Sequence, residues 1–310
     1  MVPIFRRATI GWVSLQLLVA AALEGPPRPP VTKSGCRGSC GQISVPYPFG
    51  IGVGCFREGF GLTCDDTKQP PKLLLLGDGV EVEVLDISLP DGTVRINSNV
   101  SFSASDSDSP EFNGTWSLPH ASGPFVVSIT LNWFVAVGCN IFAQLIPVGS
   151  EKNTSICGAM CVGNMLDDAM SACSGIGLCR TPIKGLAPSY SIKVLPVQSS
   201  TPTSRLLDTT HAAAFIVDKA WYNIYGHDTP SNITSLYWPQ SVPAVLEWWL
   251  DRIRNEDKEV LPFFPAGDGP SQHRCLCSNS FIYYSDENYY QRRCNCSQGY
   301  EGNPYIRDGC

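Results

Sequence analysis

Apolar and polar residues alternate with a period of two in the middle of this chain. Between residues 80 and 84, valine alternates with glutamate, which is the pattern of a half-buried strand. Pro90-Asp91-Gly92 then supplies turn chemistry before Val94 and Ile96 begin the next alternation. We therefore predict that the stretch from Leu73 to Phe102 is strongly β.

Further apolar runs predict additional strands at Phe125 to Val137 and at Ala212 to Val217. The run from Ala244 to Arg254 fits one face of a helix and one face of a strand equally well. Pro243 is suited to the first turn of a helix and slightly favours the helical interpretation. Met165 to Ala172 predicts a short helix. The pattern as a whole predicts a mainly β fold.

Residues 1–25 have the features of a secretory signal peptide. Arg6 and Arg7 provide the positive end, an apolar run follows from Ala8 to Leu23, and Ala20-Ala21-Ala22 offers small residues for cleavage. The alternative is an uncleaved membrane anchor, but the run is short for a bilayer span of about 20 residues. Nothing later in the sequence is predicted to span a membrane.

The cysteines indicate the compartment. All 14 lie at or after Cys36, and paired cysteines are rare in the cytosol because they persist only in oxidising environments. We therefore expect a secreted, disulfide-stapled chain, although the count does not determine the connectivity. The segment from Cys275 to Cys310 holds five cysteines and few apolar residues. Disulfides should supply much of its stability, with at least one partner elsewhere.

Asn-x-Ser/Thr sequons are candidate glycosylation sites in a secreted chain. We predict modification at four of them, Asn99, Asn113, Asn153 and Asn232. A fifth sequon, at Asn295, is less favourable because it lies between Cys294 and Cys296 in what we expect to be a cramped turn.

Charge is unevenly distributed along the chain, whose net charge is −6. Residues 26–72 contain six basic and three acidic groups, whereas residues 73–111 contain eight acidic groups and the single basic Arg95. Such asymmetry suits a charged partner, although two ordinary solvated faces would also explain it. The compartment and the acidic net charge disfavour nucleic acid.

Motifs for catalysis and cofactor binding are weak. Gly50-Ile-Gly-Val-Gly54 resembles a phosphate-binding loop but leads directly to Cys55 rather than into a helix. The spacing of the four histidines does not suit metal ligands. The Cys-x-Cys pairs at Cys275/Cys277 and Cys294/Cys296 are expected to form disulfides rather than a zinc site. The adjacent and alternating carboxylates are not diagnostic of a hydrolase. We predict no enzyme activity, no cofactor and no metal site.

The first cysteine-rich segment carries a family resemblance. It reads Cys36-Arg-Gly-Ser-Cys-Gly41, then Ile43-Ser-Val-Pro-Tyr-Pro-Phe-Gly-Ile-Gly52, then Phe60-Gly-Leu-Thr-Cys64. This order resembles the galacturonan-binding module that opens the ectodomains of plant wall-associated receptor kinases. The segment from Cys173 to Cys179 is similar to the family's cysteine-pair segment, but Leu178 stands where members usually have a cysteine.

The tail from Cys294 to Cys310 resembles the end of the epidermal-growth-factor-like (EGF-like) repeat found in this family. This resemblance implies a Cys296–Cys310 disulfide. The expected organisation is a galacturonan-binding-like domain at 36–195, a second β-rich segment at 205–265 that could include a helix, and a partial EGF-like module at 274–310. Related receptors continue into a membrane helix and a kinase. The chain is therefore expected to be a truncated receptor, a fragment or a secreted receptor-like protein.

The resemblance implies non-catalytic binding of pectin by the sensing part of a receptor, at the outer face of the plasma membrane or in the cell wall. Arginine's planar fork suits the carboxylates of pectin, and aromatic rings can cover a sugar's apolar face. Arg37 and Arg57, near Tyr47 and Phe49, are therefore the candidate ligand residues. The alternative is that Pro46-Tyr-Pro-Phe49 is a buried structural turn and the arginines are incidental.

Two other partners are compatible with the sequence. Calcium could bridge the acidic stretch at 73–111 to uronate carboxylates, although no compact calcium-loop motif is present. The competing function is an extracellular protein–protein interaction module that binds a peptide or a co-receptor.

Overall fold

Antiparallel β-pairing builds most of this protein. The computed structural model describes residues 31–77, 80–103, 111–119, 123–149, 151–160, 177–197, 212–225, 239–250, 252–254, 275–284, 287–306 and 309–310. Elements are numbered in chain order. The predicted signal peptide, the predicted helix at Met165 to Ala172 and the sequon at Asn232 lie outside these residues.

Three sheets form the body. In spatial order, sheet A contains β10 (Phe125–Val127), β17 (Ser241–Trp248), β7 (Thr93–Asn99), β6 (Val80–Ser88), β5 (Lys72–Gly77), β4 (Gly61–Asp65) and β3 (Gly50–Ile51). Sheet B contains β14 (Leu178–Pro182), β11 (Asn132–Val137), β16 (Ala213–Asp218) and β8 (Ser101–Phe102). Sheet C contains β13 (Ser155–Ala159), β12 (Ile141–Pro147), β15 (Ser189–Pro196) and β9 (Phe112–Ser117). Within sheet A, β3 and β4 are parallel, and the other strand pairs of the three sheets are antiparallel.

Smaller elements complete the described structure. A short hairpin of β1 (Ser39–Cys40) and β2 (Ile43–Ser44) precedes sheet A, and the tail sheet has the order β18 (Arg252–Arg254), β20 (Glu287–Cys296), β19 (Cys275–Tyr284). One helix, α1 (Lys219–Tyr225), follows β16, and a 3-10 turn spans Glu151–Asn153. Among the described residues, no helix is both long enough and apolar enough to cross a membrane.

The three sheets of the body share one apolar core. Along β12, Ile141, Ala143 and Leu145 are buried while the intervening residues are partly exposed, as expected for a strand with one face towards a core. This core also takes in residues of β5, β7 and β17 and reaches Cys294 and Tyr305 of the tail. Sheet B is covered on its other face too, where α1 helps to bury a second cluster. The predicted mainly β, disulfide-stapled fold is confirmed.

The run from Phe125 to Val137 is two strands rather than one. β10 belongs to sheet A and β11 to sheet B. Between them the chain turns, and the Ser128 hydroxyl accepts a hydrogen bond from the Leu131 amide at 3.1 Å. The polar residues within the run therefore mark a change of sheet, which the sequence analysis did not recognise.

The helix favoured at Ala244 to Arg254 is wrong, because the first part of this run lies in strand β17. Val245 directs its N–H to the Asn132 side chain and its C=O to the Ser128 amide, so these groups point away from β7. Pro243, two residues earlier, has its nitrogen on the same side. Because β10 pairs only with residues 246–248, the missing proline N–H breaks no ladder bond. The helix of this region is instead α1.

The predicted boundary near residue 200 does not separate the sheets. β16 pairs with β11 inside sheet B, and β17 pairs with β7 inside sheet A. Strands from the predicted 36–195 and 205–265 segments therefore form the same core, and the body folds as one β unit.

Disulfides staple the N-terminal segment, the middle and the C-terminal end of the described chain. The described pairs are Cys36–Cys55, Cys40–Cys64, Cys157–Cys179 and Cys296–Cys310, and Cys139 and Cys294 are also disulfide-bonded. The structure joins Cys296 to Cys310, the pair that the resemblance implies.

Candidate functional site

The predicted ligand residues lie in a segment held by two disulfides before β5. Cys36–Cys55 and Cys40–Cys64 close overlapping loops, so a stretch with few strand hydrogen bonds is tied to the edge of sheet A. The Cys36 amide also donates to the Lys33 carbonyl at 3.1 Å. The disulfides therefore bring Lys33, Arg37 and the loop around Arg57 to one end of the molecule.

Phe49 belongs to the core of the protein. Its side chain is 1% exposed, and its ring packs edge-on against Phe60 at 5.1 Å and against Trp248 at 5.4 Å between centroids. Such aromatic packing stabilises a core beyond simple area burial. A sugar has no access to this ring, so the geometry does not support Phe49 as a ligand residue, and the buried-turn alternative holds for it.

Tyr47 lies at the surface of the same turn. It is partly exposed, and the Lys33 ammonium sits 4.8 Å from its ring centroid while donating to the Gly54 carbonyl at 3.4 Å. The Tyr47 amide donates to Val31, and its carbonyl accepts from the Asn303 side chain at 2.7 Å. The backbone thus holds an aromatic ring and a cation together at the protein surface.

Arg37 is engaged by an acidic partner that the sequence analysis did not identify. Two of its nitrogens bind the two carboxylate oxygens of Asp66 at 2.7 and 2.8 Å, and its Nε donates to the Ser39 carbonyl at 2.8 Å. The hydrogen bond from Arg37 lowers the pKa of Asp66, and the same bond raises the pKa of Arg37. The Arg37 and Asp66 side chains are 42% and 60% exposed, so solvent and ligands can reach both.

The backbone of Arg57 is hydrogen-bonded to the turn that carries Tyr47. Its amide donates to the Pro48 carbonyl at 2.9 Å, and its own carbonyl accepts from the Phe60 amide at 2.9 Å. The side chain is partly exposed. The structure therefore brings Tyr47, Arg57 and Lys33 into one neighbourhood and places Arg37 nearby in a separate ion pair.

Lys33 is the residue that the sequence analysis counted but did not select. The available signal was its position three residues before Cys36. Cys36 is bonded to Cys55, and Cys55 directly follows Gly54, whose carbonyl accepts a hydrogen bond from Lys33. The pairing of Arg37 with Asp66 had no comparable signal, since the two residues are 29 positions apart along the chain.

The described part of the acidic stretch, which leaves out Asp78, Asp106 and Asp108, offers little support for a bridging metal. Glu83 binds the Lys72 ammonium at 2.9 Å and accepts from Asn97 at 3.2 Å, so its charge is already compensated. Within the described part of the chain, no group of three His, Cys, Asp or Glu side chains is arranged to hold a metal ion.

Of the predicted glycosylation sites, Asn99, Asn113 and Asn153 have exposed side chains. Asn295 is exposed as well and lies in strand β20 rather than in a cramped turn, so its disfavoured status had no structural basis. Modification of any of these residues stays a prediction.

Comparison with known proteins identifies the segment that contains these side chains. Residues 36–98 match the family model described as wall-associated receptor kinase galacturonan-binding. The resemblance to wall-associated receptor kinases is confirmed. We refer to residues 36–98 as the galacturonan-binding module.

Homology extends well beyond the module. Across 89% of its length the chain is 27% identical to wall-associated receptor kinase 2, 28% to wall-associated receptor kinase 3 and 26% to wall-associated receptor kinase-like 17, all of Arabidopsis thaliana. It spans 34%, 35% and 38% of these relatives, about a third of their length. No solved structure matches the chain significantly.

The galacturonan-binding module is not a closed structural unit. It ends within β7, and β7 pairs along its length with β17, about 150 residues later. The core around Phe49 likewise needs Phe125 and Trp248. The module therefore holds its surface residues in place only as part of the complete β body.

Proposed function

We propose that this chain binds de-esterified galacturonan, the acidic backbone of pectin, without catalysis. In this proposal it serves as the extracellular sensing part of a wall-associated receptor, at the plasma membrane's outer face or in the wall. The match of residues 36–98 to the galacturonan-binding family supports the ligand class. The single structural observation that carries the proposal is the Lys33 ammonium held over the partly exposed Tyr47 ring at the edge of that module.

The chemistry of a galacturonate unit fits this pair. One face of the pyranose ring is apolar and can pack on an aromatic ring, while the C5 carboxylate needs a cation or hydrogen-bond donors. Tyr47 supplies a ring and Lys33 a charge. Arg57, whose backbone lies against the Tyr47-Pro48 turn, supplies a second cation for the next carboxylate along the polymer.

Arg37 takes part in this proposal through partner exchange. Its planar fork is already occupied by Asp66 in the free protein, so a uronate must replace one carboxylate with another. Because the Arg37 and Asp66 side chains are 42% and 60% exposed, the existing ion pair is open to solvent and screened by salt. Exchange is therefore feasible, and Asp66 reduces the affinity that Arg37 would otherwise provide.

Variants at this site test the proposal through the affinity of the full chain for an oligogalacturonide of about ten units. We expect Lys33→Ala to weaken binding about tenfold, since a charge-assisted contact to carboxylate is lost. Arg37→Ala should weaken binding by a smaller factor. Asp66→Asn should strengthen it, because the Arg37 fork is released while the side-chain shape is kept.

The matched control is Lys193→Ala, which removes one exposed positive charge from β15 in sheet C and should leave the affinity unchanged. If Asp66→Asn and Arg37→Ala weaken binding equally, the ion pair serves only to hold the segment, and exchange is refuted. If Lys33→Ala binds like the parent chain, the Lys33–Tyr47 site is refuted.

A protein partner is the second candidate function, and one observation favours it. Val53 is fully exposed, at 101%, at the tip of the Gly52-Val53-Gly54 loop that Cys55 closes. An apolar side chain presented in this way suits contact with a peptide or a co-receptor. Val53→Ser removes the apolar side chain without adding a charge beside Lys33, so it should weaken such binding while leaving oligogalacturonide affinity nearly unchanged.

A further inference from the structure

A second cluster of cations and aromatic rings lies on the outer face of sheet B, outside the galacturonan-binding module. Trp133 of β11 is its centre. The Arg180 guanidinium carbon lies 5.3 Å from the Trp133 ring centroid, and the Lys219 ammonium lies 4.1 Å from it. Arg180 also lies 5.8 Å from the ring of Tyr222 in α1. We call these four residues the Trp133 cluster.

The sheet register explains how the cluster forms. Val135 pairs with Arg180 of β14, and Trp133 pairs with Val217 of β16. Residues at alternate positions share one face of a sheet, so Trp133 and Arg180 are diagonal neighbours. Lys219 is the first residue of helix α1, two residues after Val217. The cluster therefore rests on paired strands and on the helix that follows them.

Arg180 is held in place without using its hydrogen-bonding capacity. Within the described structure its contacts are the two aromatic rings, and none of its five N–H donors meets a protein acceptor. An arginine normally meets carboxylates or carbonyls with this fork. Contact with Trp133 and Tyr222 positions the guanidinium, and the Arg180 residue is partly exposed.

The nearest carboxylate along the chain is committed elsewhere. Asp218 binds Arg95 at 2.9 Å and accepts from the Ala220 amide at 2.8 Å, so it does not neutralise the cluster. Lys219 donates to the Thr130 carbonyl at 2.6 Å, and partial desolvation lowers the pKa of its ammonium. Two cations thus share one indole ring with no ion pair among the described residues. An anion bound at the cluster would offset this positive charge.

We propose that the Trp133 cluster is a second carboxylate-binding site, for a uronate sugar of an acidic glycan. Arg180 clasps the carboxylate through its free edge, and Lys219 adds charge. The proposal rests on the proposed function for the identity of the ligand. Its four residues differ from those of the Lys33–Tyr47 site, and all of them lie outside residues 36–98 of the sequence.

Aromatic surface beside the cluster favours a sugar over a peptide carboxylate. On helix α1, the rings of Trp221 and Tyr225 lie 5.6 Å apart, and Tyr225 is 52% exposed. Such rings can receive the apolar face of a pyranose. A glycan with a carboxylate on each unit matches a surface that offers rings and cations together.

The experiment follows the Trp133 indole N–H by NMR in the full chain, with the signal assigned from Trp133→Phe, while galacturonic acid and tri-galacturonide are added. We expect both to shift the Trp133 signal in a saturable way. Arg180→Ala should weaken this response about tenfold. Arg180→Lys keeps the charge but loses the fork, so we expect an intermediate loss. The control Lys193→Ala should respond like the parent chain.

The outcomes separate this site from the proposed function. If the chain binds oligogalacturonide but the Trp133 signal does not move, the second site is refuted and the proposed function stands. An equal shift from the methyl-esterified trimer would show ring stacking without carboxylate recognition and would also refute it. A shift caused only by an aspartate-rich peptide would replace the sugar with a protein partner. An unchanged affinity in Arg180→Lys would show that the guanidinium fork does not bind the carboxylate and that Arg180 only covers the apolar cluster beneath it.

Discussion

Asn132 shows how a single buried side chain joins two sheets. It is fully buried. Its amide nitrogen donates to the Ser128 and Val245 carbonyls at 2.8 and 2.7 Å, and its oxygen accepts from the Val245 amide at 2.8 Å. Asn132 therefore supplies the hydrogen bonds that a neighbouring strand would otherwise give to Val245 of β17. No local pattern in the sequence indicates this role, because the partner lies 113 residues away.

We predict that Asn132→Ala destabilises the protein by about 3 kcal/mol, because buried backbone groups of Val245 and Ser128 lose their partners. Denaturant unfolding of the unmodified and variant chains measures the change. Asn223→Ala, at an exposed position of α1, is the matched control and should change stability by less than about 0.5 kcal/mol. A loss below about 1 kcal/mol for Asn132→Ala would show that water replaces the amide.

The candidate ligand residues show how far residue type alone can lead. Tyr47 and Phe49 are both aromatic residues flanking Pro48, and the sequence selected both. The structure leaves Tyr47 partly exposed and places Phe49 at 1% exposure within an aromatic core. The difference depends on Trp248 and Phe125, which arrive from distant strands. Sequence could therefore identify the segment but not which ring faces solvent.

At the scale of elements, local patterns predicted the strands whose two faces differ. The alternation at residues 80–84 became β6, and Pro90-Asp91-Gly92 became the turn before β7. Gly92 has a φ of +61°, and the Arg293 side chain occupies the space that a Cβ would need. Local pattern could not decide between helix and strand at Ala244, because the strands that pair with β17 on its two sides come from distant parts of the sequence.

The tail and the galacturonan-binding module are coupled by Asn303. Its amide donates to the carbonyls of Val31 and Tyr47, both at 2.7 Å, and its oxygen accepts from the Tyr305 amide at 2.9 Å. Asn303 is fully buried. The tail thereby supports the backbone on which the proposed ligand ring stands.

We predict that Asn303→Ala lowers both the free energy of unfolding, by about 2 kcal/mol, and the affinity for oligogalacturonide, by several-fold. The matched variant is Arg293→Ala. Arg293 anchors the tail at another place, through the carbonyls of Asp91, Gly92 and Trp248. It should lower stability and spare binding. Equal loss of affinity in the two variants would mean that tail docking in general, and not the Tyr47 contact, supports the site.

At the scale of the whole molecule, one core links the body to the tail. Trp248 of sheet A packs against Phe49 and Phe60 of the module and against Tyr305 of the tail. The Tyr305 hydroxyl donates to the Cys294 carbonyl at 3.0 Å and accepts from its amide at 3.1 Å. Burial raises the pKa of Tyr305 to about 12. Both the module and the tail therefore depend on an uncharged tyrosine.

This pKa predicts an alkaline limit to stability. An unfolded tyrosine ionises near pH 10, whereas the folded protein holds Tyr305 neutral until about pH 12. The stabilisation is complete below pH 10 and is lost as pH rises from 10 to 12, by about 3 kcal/mol in total. Urea unfolding across this range measures the slope, and Tyr305→Phe should reduce it. A slope that is the same in both chains would contradict the assignment.

The central claim is that acidic glycan is recognised through its carboxylates. The most direct measurement is the affinity of the full chain for two oligogalacturonides of equal length, one de-esterified and one fully methyl-esterified, at low and physiological salt. We predict measurable binding of the de-esterified oligomer that weakens as salt rises, because screening reduces ion pairing, and little binding of the ester. Equal affinity for the two oligomers, or no binding of either at low salt, would contradict the account.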